Sequence, residues 1–297
     1  MLESLIRFWK TPSFQMKCAC GVTNQFQKVL SGKHKKKIEG ERPKKFKFWI
    51  VKCEACGLNQ TYPRPYESSA SSIYYQEKKD VESRVNDIDS IRTYAKAILE
   101  RIKQFKTEGR FIDLGASIGV LVHEAQKSGF QNATGVELNA YAIQKAKELL
   151  NVDLLKGDML DQAFQDDSID IFTLSQTLEH IENPIQVLKT LHRRLKKGGI
   201  LYLDVPNFES VMADVLKEKW GLLDPCRHLW QFTPASLKWM LSQSGFEKNH
   251  FILTENNNYT YELEHASESQ RLFLQEKLQI GTQTHRGDVL ICIAQKA

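Results

Sequence analysis

From residue 110 onward, short β-branched or apolar runs alternate with stretches of helical spacing, and this rhythm constrains the fold more than any other feature of the chain. The runs at 110–114, 133–137, 152–155, 169–174, 199–205, 246–254 and 287–295 read as strands. The stretches near 119–128, 140–150, 184–195 and 234–244 read as helices. Strand–helix–strand units favour a parallel sheet with right-handed crossovers and helices on both faces. The predicted class is therefore α/β, a doubly wound, mostly parallel, seven-stranded sheet. Its loops gather along one edge, where ligands bind.

Polar residues stand in order along that edge. In FIDLGASIGV, residues 111–120, the first strand ends at Asp113 and enters a turn carrying Gly115 and Gly119. Glu137 ends the second strand, 22 residues beyond Gly115, the offset at which a carboxylate accepts hydrogen bonds from a ribose diol. Asp158, in KGDML, follows the third strand. A dinucleotide site brings its backbone close to a pyrophosphate at a helix N-terminus. Ser117 stands where such a fingerprint has a third glycine, and its side chain obstructs that approach. No arginine lies beside Glu137 to hold a 2′-phosphate. An adenosine-type ligand without phosphates, such as S-adenosylmethionine, meets none of these obstacles.

The first part of the chain is different. Residues 1–65 carry 14 Lys and Arg against 4 Asp and Glu, a net charge of +10, and the remainder carries −5. Four of six cysteines lie here, as Cys18-Ala-Cys20-Gly21 and Cys53-Glu-Ala-Cys56-Gly57. Two close pairs on two turns supply the four soft ligands of a tetrahedral zinc site, and a glycine after each pair suits the tight turn. In a reducing compartment this spacing favours metal over disulfide. The first pair is C-x-C, tighter than the usual C-x₂-C, so His34 is a substitute ligand to weigh. Cys226 and Cys292 read as unrelated, the latter as core. The expected organisation is a basic zinc-ribbon module at 1–62 with the Lys-rich stretch 33–47 as its long loop. A linker and lead-in helix (84–105) follow at 63–108, and a cofactor-binding domain occupies 109–297.

The motifs FIDLGASIG, TGVELN, KGDML, IDIFTLSQTLEHIENP, LKKGGILYLDVPN and RHLWQFTPASLKWMLSQSGF, in this order, resemble the class I S-adenosylmethionine-dependent methyltransferases. With CEACGLNQTYPRP and the Tyr74-Tyr75 pair ahead of them, the chain is similar to the bacterial members that carry an N-terminal zinc-binding ribbon. The resemblance implies a Rossmann-like methyltransferase fold with a final antiparallel strand near 287–295. It implies Asp113 and Gly115 at the methionine end of the cofactor, Glu137 at the ribose, and Asp158 with Met159 at the adenine. Ser117, Gly119, Leu138 and Gln176 would complete the cofactor site, and Cys18, Cys20, Cys53 and Cys56 would hold structural zinc.

Methyl transfer is an in-line displacement at an activated sulfonium, so alignment comes first and a base is needed only if the acceptor must lose a proton. Gln176, Glu179 and His180 follow the fourth strand. His180 is one candidate base and His228 the other, the latter in the aromatic-rich segment 206–232, a candidate substrate lid. Trp220 and Trp230 read as core. The leading reading is methylation of a small-molecule acceptor, such as a hydroxyl of a sugar or of a glycan or lipid intermediate. The alternatives are a tRNA or rRNA methyltransferase that holds nucleic acid with its basic head, and a non-catalytic S-adenosylmethionine-binding regulator. The longest apolar runs fall far short of the roughly 20 residues that span a bilayer. No apolar leader stands at the start, and a cytoplasmic location is expected. The oligomeric state is not legible.

Overall fold

The computed structural model describes residues 16–36, 44–63, 78–246, 250–257 and 259–297. The predicted α/β class holds. Seven strands form one sheet, β4 (Phe111–Leu114), β5 (Thr134–Glu137), β6 (Leu154–Lys156), β7 (Ile169–Ser175), β8 (Leu195–Pro206), β10 (His250–Glu255) and β11 (Val289–Gln295). Their order across the sheet is β10-β11-β8-β7-β4-β5-β6. Pairing is parallel from β6 to β8, and β11 inserts antiparallel between β8 and β10. The strand order reverses at β4, so the turn after β4 opens at a topological switch point.

Alternation of strand and helix fills both faces. On one side α5 (Pro184–Arg194) and α7 (Pro234–Ser242) bury Val187, Leu188, Leu191, Leu237, Met240 and Leu241 against β7 and β8. On the other side α2 (Ile88–Lys103), α3 (Val120–Lys127) and α4 (Ala140–Leu150) bury residues such as Ile98, Ile102, Val122 and Ala146. The lead-in region forms two helices where one was expected, α1 (Lys78–Asn86) and α2, with a break at Asp87. The break turns α1 away from the sheet face and towards its ligand edge, where α1 contacts α4.

The N-terminal segment forms strands β1 (Phe26–Lys36), β2 (Lys44–Cys53) and β3 (Asn59–Tyr62). The lysine-rich stretch expected as a long loop is strand on both sides of residues 37–43, which lie outside the described residues. Phe48 and Ile50 alternate with exposed Lys47, the period-2 pattern of a strand with one buried face. Their partners are Met212, Trp220 and Leu223 of the 206–232 segment. That segment holds α6 (Val211–Leu216) and β9 (Trp230–Gln231), and β9 pairs antiparallel with β3, Asn59 opposite Gln231 and Gln60 opposite Trp230. The small sheet therefore runs β1-β2-β3-β9 and incorporates a strand from the larger domain. Trp220 and Trp230 are both buried, as expected of core residues. The last helices, α8 (Thr260–His265) and α9 (Glu268–Gln283), precede β11.

Candidate functional site

A cleft opens at the C-terminal ends of β4, β5 and β7, the edge marked by the sequence. It encloses about 860 Å³, counting its open mouth. Gly115, Ser117, Glu137, Leu138, Met159, Gln176 and His180 line it. Asp113, Gly119 and Asp158 do not. Asp113 is buried beneath the turn, where it accepts a 2.6 Å hydrogen bond from the Thr173 hydroxyl. Burial pushes its carboxyl up to about 7. Gly119 caps α3 with φ +75° and packs against Ala146 and Val152. Asp158 turns its carboxylate back on its own loop to accept the Leu160 amide at 2.8 Å.

Glu137 organises the floor. Its Oε2 accepts the Ser117 amide at 2.7 Å, and its Oε1 accepts the Leu138 and Asn139 amides at 2.7 and 2.8 Å. Asn139 in turn caps α4 by accepting the amides of Tyr141 and Ala142. A carboxylate offers about four acceptor positions, so Glu137 keeps capacity for a hydroxyl donor. The turn is drawn onto it, with Ser117 at φ +50° and Gly115 at φ +79°. A Cβ on Gly115 would lie 2.7 Å from the Thr177 hydroxyl oxygen.

Gln176 is strained into φ +47° and held there by Asp204. Its side-chain amide donates to Asp204 Oδ1 at 2.7 Å, and the Ser175 hydroxyl donates to Oδ2 at 2.9 Å. Asp204 is wholly buried in β8, and burial raises its pKa. Sequence reading did not single it out, although a lone carboxylate inside the apolar run ILYLDVP was the available signal. The α1 residues Asp80, Val81 and Arg84 also line the cleft, and nothing in their spacing announced this. Asp80 forms a 2.7 Å ion pair with Arg227, which ties α1 to the 206–232 segment above the cleft.

His180 and His228 lie edge to face with ring centres 4.8 Å apart. His180 reaches the cleft wall, and His228 packs behind it. Each Nε2 is 3.9 Å from Glu179 Oε1. Burial drives the proton affinity of both imidazoles down, to about 3 for His180, where His228 adds to the effect, and to about 4 for His228. Burial pushes the Glu179 carboxyl up to about 8. The Leu229 amide donates to the Glu179 carbonyl, while Thr61 donates its hydroxyl to the His228 carbonyl at 2.7 Å. The histidine pair thus sits where β7, the 206–232 segment and β3 meet.

The four N-terminal cysteines converge. Cys18 and Cys56 sulfurs are 3.5 Å apart and those of Cys20 and Cys53 are 3.7 Å apart, with all four within 4.8 Å of one another. A tetrahedron of sulfurs each about 2.3 Å from zinc has edges of roughly 3.8 Å. Gly21 and Gly57 take φ +92° and +75° in the two knuckles. His34 lies on β1 opposite Phe46 and is not part of the cluster. Cys292 is buried in β11 as expected, and Cys226 occupies the turn after Asp224.

A twisted parallel sheet with an antiparallel penultimate strand and an acid-anchored glycine turn defines a Rossmann-like methyltransferase domain. The methyltransferase domain family matches residues 87–250, more than half of the chain, and the chain belongs to that family. It is similar to an S-adenosylmethionine-dependent methyltransferase of Archaeoglobus fulgidus, 21% identical, with a TM-score of 0.52 over 69% of this chain and 94% of that one. A structure from Thermotoga maritima, described as a possible histamine N-methyltransferase, is 20% identical, with a TM-score of 0.51 over 73% of this chain and 97% of that one. Both likenesses concern the fold. An uncharacterised protein of Methanocaldococcus jannaschii is 26% identical over 42% of this chain, and the match spans 58% of that relative's length.

Proposed function

We propose that the chain transfers a methyl group from S-adenosylmethionine to a small-molecule acceptor, with an oxygen of a sugar or of a glycan or lipid intermediate as the acceptor class. The observation that carries this reading is Glu137, held by three backbone amides at the cleft floor with acceptor capacity to spare. It takes the ribose. Gly115 leaves room beside Thr177 for the methionine end, Leu138 and Met159 flank the adenine, and Gln176 lies towards the reacting carbon. Asp113 and Asp158 act from beneath, by holding the turn and the 158–160 loop. When bound, the cofactor supplies a sulfonium-activated methyl carbon.

The residues of this chain align the acceptor and manage its proton. His180 faces the cleft, so it is the imidazole that meets the acceptor, with His228 supporting it from behind. Two neutral rings with depressed proton affinity orient a hydroxyl well but are weak bases. The 206–232 segment covers the acceptor end, and the cysteine cluster holds zinc as a structural ion that fixes β3 beneath that cover. The zinc-ribbon boundary at 62 is a boundary of composition, and β3 is the joint. Among the described residues no helix is long and apolar enough to cross a membrane.

Calorimetry with S-adenosylmethionine tests the cofactor assignment. Micromolar-range binding that Glu137→Ala strongly weakens supports it, and preferential binding of NADH refutes it. An RNA acceptor would be betrayed by binding that weakens steeply with salt and by a shallower slope once Lys28, Lys33, Lys47 and Lys52 are neutralised.

A further inference from the structure

The Glu179 carboxylate is buried to 1% exposure, yet neither of its oxygens has a hydrogen-bond partner. An ionised carboxylate in that position is costly unless a proton or a cation compensates it. No lysine or arginine pairs with it among the described residues. The nearby guanidinium of Arg227 is committed to Asp80 and Asp224. What faces Glu179 instead is two imidazole nitrogens, the Nε2 atoms of His180 and His228, each 3.9 Å from Oε1.

The orientation of the His180 ring suits a cation, whereas His228 Nδ1 is buried without a hydrogen-bond partner. His180 Nδ1 is 3.0 Å from the Arg227 carbonyl oxygen, which can only accept, so Nδ1 carries the proton and Nε2 presents its lone pair towards Glu179. A ring whose far nitrogen donates to a backbone carbonyl is the usual support of a metal-bound histidine. One ligand atom from each of the three residues lies within 4.8 Å of the others. Bonds of about 2.0–2.2 Å to a tetrahedral ion require ligand separations of roughly 3.4 Å, a contraction of about half an ångström for each Glu179–histidine pair and of up to about 1.4 Å between the two imidazoles, which the ion's attraction would drive.

We propose that Glu179, His180 and His228 form a second metal site, distinct from the cysteine cluster, that binds a divalent cation with an open coordination position at the acceptor end of the cleft. His180 lines the cleft, so that position faces the acceptor. Resting on the methyl-transfer reading above, the inference narrows the acceptor to one that presents a hydroxyl oxygen to the ion. A bound cation lowers the pKa of such a hydroxyl. The proton leaves to water, the oxygen pair forms the new bond to the methyl carbon, and the C–S pair returns to sulfur. The two imidazoles spend their lone pairs on the ion, so neither takes the acceptor proton.

The test uses the full chain with its cysteine site left intact and Mn²⁺ as the probe, because this ion favours carboxylate oxygen over the thiolates of the cysteine site and is directly visible by paramagnetic resonance. Titration followed by electron paramagnetic resonance should show about one Mn²⁺ bound per chain. Glu179→Gln and His228→Ala should each weaken it by at least about 100-fold, the upper end of what losing even an outer-shell partner costs. In wild-type protein, substoichiometric Mn²⁺ should broaden the imidazole signals of two of the eight histidines most strongly, a measurement that needs no variant to fold. Binding of S-adenosylhomocysteine, measured in parallel, keeps the two ideas apart. Intact cofactor binding with no Mn²⁺ site overturns the metal site and leaves the methyltransferase reading standing. Mn²⁺ binding without any cofactor binding does the reverse. Mn²⁺ affinity unchanged in Glu179→Gln, or the strongest broadening falling on histidines other than His180 and His228, also overturns the metal site.

Discussion

Replacing Glu137 separates two jobs that meet in one carboxylate. In the folded chain it accepts three backbone amides, at 2.7, 2.7 and 2.8 Å. In the proposed complex its remaining acceptor position takes a ribose hydroxyl. A hydrogen bond to a charged acceptor contributes about 1.5–3 kcal/mol. Glu137→Ala should therefore weaken S-adenosylmethionine binding by about 10- to 100-fold. It should also cost about 2–4 kcal/mol of stability, because the Asn139 amide is buried and water can rescue only the more exposed pair. Glu137→Gln divides the effects. Its carbonyl can keep the Leu138 and Asn139 amides, but its NH₂ group meets the Ser117 amide donor to donor. That variant should lose most of the cofactor affinity and keep most of the stability. Calorimetry and denaturant unfolding measure the two quantities. Affinity of Glu137→Ala within threefold of wild type would refute the ribose assignment. Equal stability of the Ala variant and wild type would refute the anchoring role.

Other expectations follow from the same geometry. Gly115→Ala should cost about 1–2 kcal/mol from its left-handed backbone alone and more from the contact with Thr177, and it should impair cofactor binding, both measurable as above. Asp113 binds its proton more tightly in the folded chain than its ordinary value of 3.8, at about 7. Its contribution to stability is therefore full below about pH 4 and is lost as pH rises towards 7. Asp113→Asn keeps a partner for Thr173 and should flatten the unfolding free energy over that range, and an unchanged pH profile would count against this. Elemental analysis should find about one zinc per chain in protein purified without chelator. Cys53→Ser should release it and, through β3, weaken cofactor-dependent protection of the 206–232 segment in hydrogen exchange.

Much of the sheet was legible because its strands are short apolar runs set between helices of clear period. Residues 140–150 match α4 in full, and Pro184 and Pro234 mark the starts of α5 and α7. The glycine turn and Glu137 were legible because a close backbone turn and a ribose carboxylate leave fixed spacings. The sequence hid what depends on long-range contact. Strand β9 is two residues long and exists only because β3 lies beside it. Helix α9 shows little apolar patterning, with Leu272 and Phe273 exposed, so its stretch 268–283 carried no clear period. Asp158 follows the third strand as expected, yet its side chain serves the Leu160 amide, a local choice that spacing cannot reveal. The union of Glu179, His180 and His228 joins residues 48 and 49 positions apart through a segment of irregular backbone.

The pairing of β3 with β9 has a consequence for anyone exchanging parts between related proteins. Residues 1–62 look transferable by composition, yet their last strand is completed by residues 230–231, and Phe48 and Ile50 rest on Met212, Trp220 and Leu223. A chimera that grafts the head of one relative onto the body of another would cut through a shared sheet and a shared core. The unit of exchange is discontinuous. The head and the 206–232 segment should move together, and a swap of either alone should yield poorly folded protein rather than altered acceptor choice.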